Sequence, residues 1–319
     1  MSILSPLRRV DRAMGCIYGF ISGGSLEQPV SSYILPLPDR RLAYSLIGRP
    51  DVGGKMMLQL ARMLVVDSAY FPDKARAAYS SLVNRDWLKN NRNLLNDTSL
   101  MPFDSESTLV SGLLRSITLG IWGGQRIMSQ VITVVWQDAM LTHPHPIYAD
   151  ACAVLAISIA CSVSHMGTID ELFANILNCV ADSDVDREIL FYLEKAKKFE
   201  PDFYFDNWKN YIFSILQNTF WHLLHVGYPA FNDSLPYALM KTNMLFPRMN
   251  SKFSASSAIC GAILGALHGA RCMPSIWLES IDGYIPKWLE PSADTSLNCW
   301  PVDLRKLVCG LIGQNMVKR

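Results

Sequence analysis

The sequence predicts an all-α fold, a compact single-domain helical bundle over residues 1–319, and three observations predict it. Helical periodicity dominates while runs of strand-like alternation are scarce. Two segments, 149–163 and 258–270, are apolar nearly all round and rich in small residues, as helices at the centre of a bundle are. No Gly/Ser-rich linker and no fixed-period repeat divides the chain.

In chain order, Met56 to Val66 is a helical stretch rich in Met and Leu. The 149–163 segment follows as a buried helix. Thr168 and Glu171 form a capping-box pattern ahead of Leu172 and Phe173, which starts another helix. Ser183 and Asp186 cap a helix running through Phe191, with Lys195, Lys197 and Lys198 near its negative end. From Ile212 to Val226 the residues Ile212, Ile215, Leu216, Phe220, Leu223 and Leu224 recur at helical spacing, and the second apolar segment closes the set. Polar or proline-bearing breaks fall near 28–40, 88–104, 142–148, 228–236 and 246–254.

Half of the residues are hydrophobic and 18% charged, enough for a substantial core. The 29 basic and 28 acidic residues leave a formal charge of +1, which gives no electrostatic reason to expect nucleic acid or an anionic membrane. The Trp and Tyr residues are not interleaved with basic ones as a stacking surface needs. Eight scattered cysteines form no C-x-x-C pair and suit buried thiols in a reducing compartment. Met1 to Val10 has no apolar signal core, and Ala151 to Val163 and Ala258 to Ala270 fall short of the roughly 20 residues a bilayer demands. A soluble, cytoplasmic protein is expected.

Several chemical motifs fail on inspection. Gly48 to Met56, GRPDVGGKM, lacks the first glycine and the Ser/Thr of a phosphate-binding loop. His222 and His225 lie three apart on one predicted helix, near enough to share a metal, but no third ligand stands nearby, so two histidines beside a core is the simpler reading. No G-x-S-x-G elbow and no H-E-x-x-H pair occurs.

Six segments, in order, resemble the ADP-ribosylglycohydrolase family. Arg12 to Val30, RAMGCIYGFISGGSLEQPV, is similar to its first helix with the G-D-A-L-G motif. Gly48 to Leu64 resembles its G-Q-P-T-D-D-S-E-M-A-L stretch, and Gly112 to Ile121 its G-A-L-M-R segment. Trp136 to Ala160 contains the T-H-P-H-P loop and the buried helix after it. Tyr211 to His225 and AICGAILGALHG at Ala258 to Gly269 are similar to its last core helices. The resemblance runs over residues 10 to 285, leaving the first ten residues and the tail after Trp300 as candidate contact surfaces.

The resemblance implies a magnesium pair held by carboxylates from three places, and the sequence departs from it at each. The aspartate of G-D-A-L-G is Gly24. In T-D-D the threonine position carries Asp51 and the aspartates become Val52 and Gly53. The G-G-D-T-D-T loop corresponds to Asn250, Ser251, Lys252, Phe253, Ser254 and Ala255. Hard cations want several oxygen ligands, so the metal pair is expected to be absent, with no other cofactor, and a Lys252–Asp51 ion pair to stand in its place.

The resemblance places His143 and His145 where they would line the pocket and hydrogen-bond a diphosphate, or else cap the adjacent helix. Ser111, Gly112 and Arg115 run beside the ADP-ribose pocket, Arg115 as phosphate ligand or as structural ion-pair partner. Lys252 joins the candidate ligand-binding set. The expected function is that of a pseudoenzyme that binds ADP-ribose, an ADP-ribosylated protein or a protein partner, such as an ADP-ribosyltransferase toxin countered by its immunity protein. Two alternatives stay open: an active hydrolase using acids such as Glu27, Asp51 or Asp104, and a scaffold whose pocket is closed by Phe253.

Overall fold

Small residues at every fourth position of the first helix decide how this fold is assembled. Helix α1, Pro6–Ser25, carries Gly15, Gly19 and Gly23 on one face, and helix α10, Ala255–His268, carries Gly265, Gly261 and Ser257 on the face that meets it. A Cβ on Gly15 would lie 2.4 Å from the Gly265 carbonyl oxygen, one on Gly19 2.0 Å from that of Gly261, and one on Gly23 2.1 Å from that of Ser257. The two backbones therefore touch directly, and the pairing of those residues makes the helices antiparallel.

The computed structural model describes residues 4–25, 50, 52–82, 109–201, 207–226, 255–284 and 299–313, and among them all regular structure is helical. After α1 come α2, Val52–Asp67, and α3, Pro72–Leu82. Then follow α4, Ser111–Gly123, α5, Met128–Met140, and α6, Pro146–Ser164. Next are α7, Ile169–Ala181, α8, Arg187–Lys195, and α9, Trp208–Val226. Beyond α10 lie a 3-10 turn, Ala270–Cys272, then α11, Ser275–Asp282, and α12, Leu304–Leu311.

The predicted helices are all present, and most begin earlier than periodicity shows. Pro146 opens α6 at the first helical position, where a missing N–H costs nothing. Thr168 and Glu171 make both bonds of the capping box on α7, and Asp186 caps α8 by accepting from the Glu188 amide. Of the predicted breaks, 142–148 closes early as α6 begins; those near 28–40, 88–104, 228–236 and 246–254 lie wholly or almost wholly outside the described residues.

At 19 residues, α6 is longer than its apolar run and meets the length and hydropathy of a membrane span, yet 83% of the relevant window is buried within the protein. It packs against α4, α5, α7 and α10. Its neighbours also fix its direction. Tyr148 covers Gly112 at the start of α4, while Gly120 further along faces Ala156 and Ile159, so α4 and α6 run parallel. Thr118 donates to the Met57 carbonyl at 3.2 Å and Arg115 reaches the Met56 sulfur, so α2 runs the same way.

Arg12, near the start of α1, donates to the carbonyls of Ser162 and His165 at the end of α6. The end of α1 therefore lies beside the start of α6. The described part of the tail after Trp300, residues 301–313, is built into the core. Leu304, Leu307, Val308 and Leu311 of α12 are buried against α1 and α2, and Arg62 donates to the Val302 carbonyl at 2.7 Å. All eight cysteines are free, six of them buried.

Candidate functional site

The helix directions bring the starts of α2, α4, α6 and α10 and the end of α1 to one end of the bundle. Each helix start presents backbone N–H groups with no partner inside the helix, and the positive pole of its dipole. Gly24, Gly53 and Ala255 sit at this end and are buried, and none of them carries a side-chain oxygen. Asp51, Lys252, Phe253 and Ser254 lie outside the described residues, as do the Val52 side chain and the acids Glu27 and Asp104, so the Lys252–Asp51 pair is not placed.

Arg115 is fully buried and its guanidinium is occupied. Nε donates to Asp138 Oδ2 at 2.7 Å, and Nη2 donates to the Asp138 carbonyl and to Thr142 Oγ1 at 2.8 Å. Tyr79 donates to Asp138 Oδ1 at 2.6 Å and Tyr70 to the same oxygen at 3.1 Å, while the Tyr79 ring lies 4.4 Å from the guanidinium carbon. Burial of two charges is tolerable only when their bonds are met, and here a carboxylate and a guanidinium from α5 and α4 satisfy each other. Of the two roles open to Arg115, the geometry is that of the structural ion pair. Burial and the Asp138 charge push the Tyr79 hydroxyl well above its ordinary range, so it stays a donor.

The start of α4 is likewise occupied. The Tyr148 hydroxyl donates to the Leu109 carbonyl at 2.6 Å, and its oxygen lies beside the Gly112 and Leu113 amides. Tyr148 thus caps α4 from α6, which explains why position 112 is glycine: a Cβ there would stand 2.6 Å from the Tyr148 ring. Ser111 is buried, its hydroxyl 3.5 Å from Arg115 Nη1.

The histidines of the T-H-P-H-P loop differ. His143 is buried, stacks on Tyr148 with centroids 4.1 Å apart, and is hydrogen-bonded through Nδ1 to Thr142 Oγ1 at 2.8 Å. His145 is the N-cap residue of α6, yet its side chain makes no cap bond. Its Nδ1 is buried with no hydrogen-bond partner among the described residues. Trp208, at the start of α9, meets the His145 ring edge-on at 4.9 Å. Burial, then the charge of Lys209, hold this imidazole below its ordinary range, so it is neutral. Pro146 takes the first helical position, and the His145 side chain does not cap the amides that follow.

His222 and His225 each donate Nδ1–H to the carbonyl four residues back, at 2.9 Å. Among the described residues, no group of three or more His, Cys, Asp or Glu side chains could hold a metal ion. A groove of about 720 Å³ lies elsewhere, on the flank between α7, α8 and the end of α9. Its Lys197 is paired with Glu194 at 2.7 Å.

Asp138, Tyr148 and Trp208 are the residues that sequence reading passes over. An arginine within GLLRSITLGI demands a counter-charge, and Asp138 is the acid of the neighbouring apolar helix.

Comparison with known proteins follows the same line. The family model for ADP-ribosylglycohydrolase matches residues 5–305, wider at both ends than the motifs alone. Among solved structures the chain is similar to an ADP-ribosylglycohydrolase-related protein complex, with a TM-score of 0.64 and 16% identity, covering 97% of this chain and 100% of that one. No curated protein matches.

Proposed function

This chain belongs to the ADP-ribosylglycohydrolase family, and from that premise we propose that it binds an ADP-ribosyl group, carried on a protein or free, without cleaving it. One observation supports the reading: the starts of α2, α6 and α10 lie with the end of α1, where the buried Gly24, Gly53 and Ala255 carry no side-chain oxygen at positions that the resemblance gives to carboxylates. A diphosphate is a dianion and suits uncapped helix starts, as at α6, beside a neutral ring nitrogen at His145.

The family's magnesium pair does not fit this donor set. A hard divalent cation takes six or more oxygens, roughly, and prefers anionic ones. Gly24, Gly53 and Ala255 offer none from their side chains, and Val52 is aliphatic.

Calorimetric titration with ADP-ribose, with and without magnesium, tests the reading. Magnesium-independent binding is expected. Binding that requires magnesium would restore the metal site and overturn the reading, as would no binding under either condition. Incubation with an arginine-ADP-ribosylated protein is expected to release no ADP-ribose.

A further inference from the structure

Away from the candidate site, two thiols on adjoining helices share one side chain. Cys161, on the last full turn of α6, accepts from Asn175 Nδ2 at 3.6 Å; Cys179, one turn beyond Asn175 on α7, donates to Asn175 Oδ1 at 4.0 Å. Both thiols therefore lie within bonding reach of one carboxamide, at the facing edges of α6 and α7. Cys161 is 8% exposed, whereas Cys179 is partly exposed.

We propose that Cys161 and Cys179 form a redox-active dithiol that closes to a disulfide in the folded protein when a peroxide is supplied. Cys179 is the residue an oxidant reaches. Its sulfur attacks the peroxide O–O bond and becomes a sulfenic acid, releasing the first water. Cys161 sulfur then attacks the sulfenyl sulfur; the S–S bond forms, and the hydroxide departs with the Cys161 proton as the second water. Two thiols have lost two electrons, and one peroxide has been reduced to two waters.

Burial holds the Cys161 thiol up at about 12, so by itself it is a poor target for oxidant. Contact with the oxidised partner is what makes it react, and the Asn175 N–H steadies charge on its sulfur. Nothing similar exists at Cys272, also partly exposed, whose thiol donates to the His268 carbonyl at 3.4 Å instead. Cys16, Cys152 and Cys260 are fully buried. The pair is thus chemically distinct within the chain.

The test oxidises the intact, folded protein with one equivalent of hydrogen peroxide, alkylates the remaining thiols and maps the products. Trypsin leaves both cysteines in one stretch, Ile127 to Arg187, and cleavage at Glu171 separates them. Linked peptides, separable by reductant, and loss of two hydrogens from the intact mass are the expected result. In Cys161→Ser the link should vanish and Cys179 should instead take up a sulfenic acid trap. Should Cys161→Ser fold poorly, Cys179→Ser is the alternative, and its Cys161 should resist peroxide. Cys179 over-oxidised with Cys161 still alkylated in the wild type, or both thiols untouched, overturns the proposal.

Discussion

Arg115 and Asp138 bury opposite charges at 2.7 Å, on neighbouring helices, with every polar atom of the carboxylate engaged. Removing one partner leaves the other charged and dry. Arg115→Met is expected to cost about 3–5 kcal/mol of stability by urea denaturation. Asp138→Leu should cost a similar amount, and the double variant less than the sum. Additive losses would mean that the pair does not act as a unit.

Gly19→Ala places a methyl group on a main-chain carbonyl that has nowhere to go. The expected loss is at least about 1–3 kcal/mol, with a lowered Tm. Gly124→Ala serves as control, because its nearest neighbour would stand 3.5 Å away.

Thr168→Ala removes the hydroxyl that accepts from the Glu171 amide at 3.2 Å. A loss of about 1 kcal/mol is expected from chemical denaturation, and Thr168→Ser should recover most of it.

Asp150 titrates above the ordinary aspartate value of 3.8, chiefly through burial and secondarily through Asp186 and Asp184, against hydrogen bonds from the Asp186 amide and Trp136. Between 3.8 and its raised value the folded chain holds a proton that the unfolded chain has released. Its contribution to stability therefore falls as pH rises through that window. Carbon-13 titration of the Asp150 carboxyl checks this; a midpoint at or below 3.8 would contradict it.

Chelation should change nothing. With glycine or alanine at positions 24, 53 and 255, EDTA is expected to leave the Tm where it was. A drop that magnesium reverses would show a resident cation.

The fold was legible because its signals are local. Capping at Thr168 and Asp186 needs only neighbours in sequence, and the glycine-bearing apolar runs announce burial by composition alone. The site was legible in part. That Gly24 and Gly53 offer no carboxylate can be read directly, since the residue's identity alone decides it. What Arg115 and Gly112 do cannot, because their partners stand 23 and 36 positions away: Asp138 neutralises the one, and Tyr148 fills the space left by the other. His143 and His145 share a motif but not an environment; the difference lies in Tyr148 and Trp208, which reach them from other turns of the chain.

Between Gly19 and Gly261 the two main chains are in direct contact. The separation of α1 from α10 is consequently a fixed length, set by main-chain radii rather than by packing that a ligand or a warmer solution can loosen. One wall of the candidate site is in this sense a ruler. Any widening to admit a bulky guest has to come from the opposite wall, where α4 and α6 meet through the aromatic ring of Tyr148.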